Sequence, residues 1–245
     1  MVKVLVIGET CQDIFCYGEC TRLAPEAPVP VFTLISEKYS PGMATHVQQN
    51  INALGVNCDI FTNSNWESVQ KVRYVDDRTN QMFIRIDKND HKIKRCDVTE
   101  LEFEQYDAIV VSDYDKGFLT ESDLQYIFEN HGTTFLDTKK VLGTWAEKAR
   151  FIKINSIEYD RSKLSLNEHY NKKLIVTTGK HGCRYNSISY AVDQVSIKDV
   201  SGAGDTFMAA LTVEFLKTND ITKAIEFANE CSTKVVQKRG VTVIQ

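Results

Sequence analysis

Proline is scarce in this 245-residue chain: there are four, and three of them crowd into residues 24–31. Glycine is sparse too, at 12 residues, and no internal repeat, low-complexity tract or long linker breaks the chain. With 42% hydrophobic and 25% charged residues, that composition excludes wholesale disorder. No stretch approaches the roughly 20 apolar residues of a membrane-spanning helix, which argues against a membrane protein. The opening Met1-Val2-Lys3-Val4-Leu5-Val6-Ile7-Gly8 is too short for a signal peptide and lacks a small-residue cleavage site; it reads as a buried first strand. A basic excess is missing as well. The 29 basic and 33 acidic residues leave a net charge of -4, which argues against a protein that grips nucleic acid along its backbone. A local cluster of Arg and Lys can still hold a phosphorylated substrate. Seven cysteines, an odd number without CxxC spacing or a matched His pair, point to reduced thiols in a cytoplasm rather than a disulfide framework or a zinc site.

What is present is an alternation of short apolar runs and helix-like stretches. Residues 2–7, 107–111, 134–136, 151–154 and 174–177 read as strands, several of them continuous apolar runs of the buried kind. Residues 47–54, 121–130 and 141–149 look helical, and two apolar stripes at helical spacing close the chain: Phe207, Leu211 and Phe215, then Ile221, Ala224, Ile225, Ala228, Val235 and Val236. Strands alternating with helices imply right-handed crossovers, hence a doubly wound α/β domain with a mostly parallel sheet. The length suits one such unit over residues 1–245. The proline-rich stretch suits an extended edge segment. Residues 72–76 and 81–87 read as a hairpin across the polar turn 77–80. Together these predict a small β lid built from about residues 14–36 and 71–96. Ligands of open α/β sheets sit beyond the carboxyl ends of the strands. That rule draws Gly8-Glu9, Ser112-Asp113, Asp137, Asn155 and Thr177-Thr178 around one cleft.

The sharpest chemical signal is Asp199-Val200-Ser201-Gly202-Ala203-Gly204-Asp205-Thr206-Phe207. Two glycines flanking an alanine ahead of an amphipathic helix leave backbone N–H groups uncovered where the helix carries a partial positive charge, which is an anion site. A transferring phosphoryl group is an anion of that kind, and Asp205 is placed to take a proton from an attacking hydroxyl. Local physics alone equally allows a turn followed by an N-cap, since Asp and Thr cap well. The segment is neither a Walker loop nor GxGxxG.

Gly202-Ala203-Gly204-Asp205-Thr206-Phe207 resembles the second signature of the ribokinase-like (PfkB) carbohydrate kinases. The resemblance implies that Gly202, Ala203 and Gly204 form an anion hole, that Asp205 is the catalytic base, and that the substrates are ATP and a sugar, with Mg²⁺. It extends along the chain. Gly8 to Asp13 is similar to the family's first strand, making Asp13 a sugar-hydroxyl ligand. Asn155-Ser156-Ile157-Glu158 matches the Asn-x-x-Glu motif that organises magnesium and phosphates, directly or through water. Thr177, Thr178, Gly179 and Gly182 match the nucleotide-side strand and turn, and Asn229 the helix near the adenine. Residues 22–31 and 112–117 resemble more narrowly the kinase domain of bacterial D-glycero-beta-D-manno-heptose 7-phosphate kinases, which implies phosphorylation at the anomeric hydroxyl. The alternatives are another sugar or sugar phosphate, or a catalytically weak regulatory relative.

The chain also departs from the pattern. Where the family's first signature reads Gly-Gly-Ala-Ala-Asn, this sequence has Gly42-Met43-Ala44-Thr45-His46, so a glycine has become Met43 and a sugar-contacting Asn has become His46. About one α-β unit is missing between Asn63 and Val72. Arg73 and Arg85 on the hairpin suit a sugar phosphate as bidentate donors or an edge that discourages aggregation. Lys116 suits a phosphate contact or a solvated turn, and His46 a sugar contact or a packing histidine. The family also implies a homodimer formed through the lid.

Overall fold

The computed structural model describes residues 2–245. In chain order its first half contains β1 (Lys3–Gly8), β2 (Thr10–Leu23), β3 (Pro30–Met43), α1 (Ala44–Ala53), β4 (Asn57–Phe61), β5 (Gln70–Asp76) and β6 (Met82–Lys88). The second half runs β7 (Ala108–Asp113), α2 (Glu121–Asn130), β8 (Thr134–Thr138), β9 (Phe151–Asn155), α3 (Ser156–Ser162), β10 (Leu174–Thr177), β11 (Cys183–Tyr185), β12 (Ile188–Tyr190), α4 (Ala203–Thr218) and α5 (Ile221–Val235). Eight strands make the main sheet in the order β12-β11-β10-β9-β8-β7-β1-β4. From β4 to β10 every neighbouring pair is parallel, and β11 and β12 add an antiparallel edge.

Alternation along the strands feeds two separate cores. Val4, Val6 and Val110 face α1, α4 and α5, where Val47, Ile51, Met208, Leu211 and Ile225 cover them. Leu5, Ile7, Ile109 and Val111 face the other way, against Leu124, Ile127 and Leu142. Each aliphatic side chain fully buried in this way stabilises the fold by about 1.5–3 kcal/mol. Covered on both faces, the central strands need no polar alternation, which is why they were legible as apolar runs.

Helix starts follow their caps. Thr120 and Asp123 form a reciprocal capping box at α2, with Asp123 N donating to Thr120 Oγ1 at 3.2 Å and Thr120 N donating to Asp123 Oδ2 at 2.8 Å. The helix expected over 141–149 is instead a three-residue 3-10 turn, Thr144–Ala146. Leu142, Trp145, Ala146 and Ala149 are all buried, as the periodicity predicts. Gly143, however, is extended, no side chain caps the turn, and Tyr170 Oη holds the Gly143 carbonyl at 2.6 Å. Between Asn63 and Val72, where the sequence lacks an α-β unit, the chain makes a 3-10 turn at Trp66–Ser68 and enters β5, and β4 closes the main sheet's edge.

A second sheet of four strands, in the order β3-β2-β5-β6, projects from the main body. Ile14, Cys16 and Val72 form a small cluster on one face and Phe15, Tyr17 and Val75 another on the opposite face. β2 and β3, both far longer than the sequence suggested, pair antiparallel from Thr10↔Met43 to Leu23↔Pro30. The Asp76–Gln81 turn of the β5–β6 hairpin is tied to the main body. Asn80 donates to the Lys198 carbonyl, and Arg239 donates to the Asp77 carbonyl and, at 3.1 Å, to Asn80 Oδ1. Among the described residues all seven cysteines are free, and no helix is long and apolar enough to cross a membrane.

Candidate active site

A cavity of ≈ 680 Å³ opens at the carboxyl ends of β8, β9 and β10 and is roofed by the start of α4. Asp205, Gly202, Ala203, Gly204, Asn155, Thr177, Gly179, Gly182 and Asn229 all line it. Residues separated by up to 74 positions in sequence therefore share one wall. Thr178, next to them, closes the local turn by donating from Oγ1 to the Gly182 carbonyl at 3.0 Å.

The α4 start has the form of an anion site. Gly202 occupies the N-cap position with φ 79°, in the left-handed region, and no side chain caps the turn. A β-carbon there would lie 2.7 Å from His46 Nε2, so the position requires glycine on both conformational and steric grounds. Ala203 N reaches the Val200 carbonyl at 3.3 Å and Thr206 N the Gly202 carbonyl at 2.9 Å.

Asp205 lies in the first turn of α4 and is 5% exposed. Burial pushes its carboxyl up to about 7, reinforced by the neighbouring Asp137 carboxylate and offset in part by Tyr114 and Lys153. A carboxylate with a pKa near neutrality suits general-base work at physiological pH. Tyr114 Oη donates to Asp205 Oδ1 at 2.8 Å.

Three cavity groups were not anticipated from the sequence: Lys139, Lys153 and Tyr114. Lys153 is buried, donates to Asp137 Oδ2 at 2.5 Å, and its Nζ lies 3.0 Å from where a β-carbon on Gly204 would sit. A lysine inside the otherwise apolar run Phe151–Ile154 is the signal that could have found it. Burial alone would push Lys139 down, but Asp137 and Glu158 outweigh it and hold the ammonium above its usual range.

Asn155 and Glu158 form the capping box of α3. Asn155 Oδ1 accepts from Ile157 N at 2.9 Å and Glu158 N at 3.0 Å, while Glu158 accepts from Asn155 N at 2.7 Å and from Lys139. The Asn-x-x-Glu spacing is thus a helix start whose carboxylate is already paired. Among the described residues no group of three His, Cys, Asp or Glu side chains could hold a metal. Asp137 Oδ1 is buried and has no partner among the described residues, which leaves it open to one. Such a donor set fits Mg²⁺ that arrives on a polyphosphate and keeps its waters, not a caged ion.

On the small-sheet side, Asp13 is buried and accepts from Arg73 Nη1. A β-carbon on Gly42 would collide with the Asp13 carboxylate. Met43 follows with φ 60° and ψ -128°, a glycine-type conformation held by a buried methionine side chain. His46 is 1% exposed; burial lowers it to about 4, so the imidazole is neutral, with Nδ1 unpartnered. Asp13, Gly42, His46 and Arg73 are not among the residues lining that cavity, and neither are Arg85, which pairs with Asp87 at 2.9 Å on the exposed strand β6, and Lys116, which pairs with Asp90 at 2.8 Å.

Comparison with known proteins agrees with this geometry. Residues 42–244 match the description pfkB family carbohydrate kinase. The bifunctional protein HldE of Helicobacter pylori is 29% identical over 98% of this chain and 64% of that protein. The chain therefore spans about 64% of that relative's length, and the match runs over 295 positions, so the relative carries additional residues within it. Among solved structures, the Methanocaldococcus jannaschii nucleoside kinase, an archaeal member of the ribokinase family, superposes with a TM-score of 0.71 at 16% identity, covering 98% of this chain and 93% of that one. Ribokinase from Thermotoga maritima gives 0.70 at 12% identity over 98% and 95%.

Proposed function

The chain belongs to the pfkB family of carbohydrate kinases, and from that premise we propose that it transfers the γ-phosphoryl group of ATP to the anomeric hydroxyl of a heptose 7-phosphate, with Asp205 as the base. The observation that carries the reading is the pairing of a buried carboxylate with a pKa near 7 and an uncapped helix start in one cavity wall. Among the described residues Asp205 Oδ2 has no hydrogen-bond donor, Tyr114 being bonded to Oδ1, and it is free to accept the proton of the attacking hydroxyl. The Gly202 and Gly204 amides, on either side of Ala203, then meet the negative charge carried by the moving phosphoryl group together with Lys139 and Lys153. Thr177, Thr178, Gly179, Gly182 and Asn229 form the nucleotide side. Mg²⁺ would neutralise phosphate charge, with Asp137 Oδ1 nearest to hand and Asn155 and Glu158 reached through water. The protein's contribution is positioning and charge.

On the sugar side, Asp13 would orient hydroxyls, Gly42 and His46 would shape the floor, and Arg73 is a candidate for the sugar's own phosphate, as are Arg85 and Lys116 once released from Asp87 and Asp90. The HldE relative and the proline-rich stretch at 24–31 favour a heptose. The small sheet would act as a lid that excludes water and limits idle ATP hydrolysis. Its exposed Leu34, Ile35, Phe83, Ile84 and Ile86 supply an apolar surface through which two copies would pair. The deciding experiment is ATP consumption with heptose 7-phosphate, fructose 6-phosphate and ribose in parallel, with Asp205→Asn as control. The heptose phosphate should turn over fastest, and the variant should lose about 10² to 10⁴ in kcat. A near-normal rate in Asp205→Asn removes the base assignment, and a preference for ribose or fructose 6-phosphate removes the substrate.

A further inference from the structure

Tyr114 has no role in the reading above, yet its placement is over-determined. Its backbone N–H donates to Glu9 Oε2 at 2.8 Å, and Lys116 N donates to Glu9 Oε1 at 2.9 Å, so one fully buried carboxylate clamps the loop that carries the ring. Asp115 at φ 56° and Gly117 at φ 93° make the tight path that this clamp holds. Two ammonium groups lie over the ring, Lys71 Nζ at 4.8 Å from its centroid and Lys139 Nζ at 5.4 Å. Such contacts are strongest where water is excluded. The hydroxyl at the end of this assembly reaches Asp205 Oδ1 at 2.8 Å.

We propose that Tyr114 is a positioning residue for the base: its hydroxyl pins Oδ1 of Asp205 in the ionised form and leaves Oδ2 free for the acceptor's hydroxyl. The inference deepens the kinase reading and rests on it. A hydrogen bond donated to a carboxylate favours its charged state, and the phenol stays protonated because burial, Asp205 and Asp137 all raise its own pKa. The other groups that bear on Asp205 are Asp137 at β8, Lys153 at β9, Asp13 and Cys11 at β2, and Lys139 beyond β8. The two aspartates act against ionisation and Lys153 favours it. Tyr114 is the neutral donor in that set, able to favour the carboxylate without drawing it into an ion pair. An ammonium bound directly to Oδ1 would hold the carboxylate too firmly for it to accept a proton during the transfer.

The test is the pH profile of kcat/KM for the full chain with Tyr114→Phe, alongside Asp205→Asn. Removing a donor to the charged form should move the acid limb upward by about one pH unit, with most of the rate regained at alkaline pH. A ring-fluorinated tyrosine at position 114, a stronger donor of nearly the same bulk, should move the limb downward. If Tyr114→Phe folds and its limb stays in place, whether the rate is kept or uniformly lowered, the proposal is overturned. If that variant does not fold, the fluorinated protein decides in its place: a limb that does not move downward overturns the proposal. Near-normal turnover in Asp205→Asn is a different result, because it discards the base itself and not only its partner.

Discussion

The two sheets of this molecule are built to opposite specifications. In the main sheet every residue of β7 is buried, and helices or packed loops cover both faces. In the small sheet every residue of β6 is exposed, as is most of β3. The main sheet gains its stability from apolar area removed from water on both sides. The small sheet depends on hydrogen bonding, two three-residue clusters and the ties that run to it from the main body. The main body carries Asp205 and the Gly202–Gly204 turn, while the small sheet buries little apolar area of its own, as segments of low local stability generally do.

Substitutions can break or sharpen that contrast. The largest expected effect is in the platform: Phe135→Ala, at a fully buried side chain on β8, should cost about 3–5 kcal/mol in urea unfolding. Arg73→Met in the small sheet should cost about 3 kcal/mol, because it leaves Asp13 buried and unpaired. If it costs nothing measurable in the same urea titration, Asp13 is solvated and the small sheet is looser than described.

Asp205→Asn should stabilise the protein while lowering kcat by about 10² to 10⁴. The folded carboxyl is raised to about 7, so the native state holds a proton that the unfolded chain releases near pH 4. Wild-type stability therefore falls as pH rises from about 4 to about 7, and the full penalty remains above that. The variant lacks this penalty. Its advantage should be absent at pH ~4 and reach on the order of 1–4 kcal/mol at pH ~8, read as a difference in thermal midpoints. The smallest effect belongs to the small sheet's surface: Ile84→Thr should change monomer stability by less than about 0.5 kcal/mol. A larger loss that depends on protein concentration would show that the residue is covered by a second copy.

The same contrast explains what the sequence disclosed. β1, β7, β9 and β10 announced themselves because strands buried on both faces read as apolar runs. β2 and β3 did not, since each mixes buried apolar positions with exposed polar ones and contains glycine or proline within its length. The 141–149 stretch misled because burial at helical spacing does not require a helix when Gly143 is held extended. At the cavity, Gly202 to Asp205 was legible because the uncapped turn and the buried carboxylate are adjacent in sequence. Lys153 and Tyr114 were not, because what gives each its meaning, Asp137 and Asp205 respectively, comes from a distant strand or helix. Asn155 and Glu158 were found by their spacing, but only the coordinates reveal that the spacing also builds a helix cap.

The ties made by Asn80 and Arg239 have a mechanical consequence. They join the tip of the β5–β6 hairpin to residue 198 and to the chain leaving α5, while Asp199 gathers the amides of Ser201 and Gly240 just ahead of Gly202. Any swing of the hairpin therefore pulls on the turn that leads into Gly202 and α4. The two parts cannot drift independently, and the turn's shape is geared to the angle at which the small sheet stands.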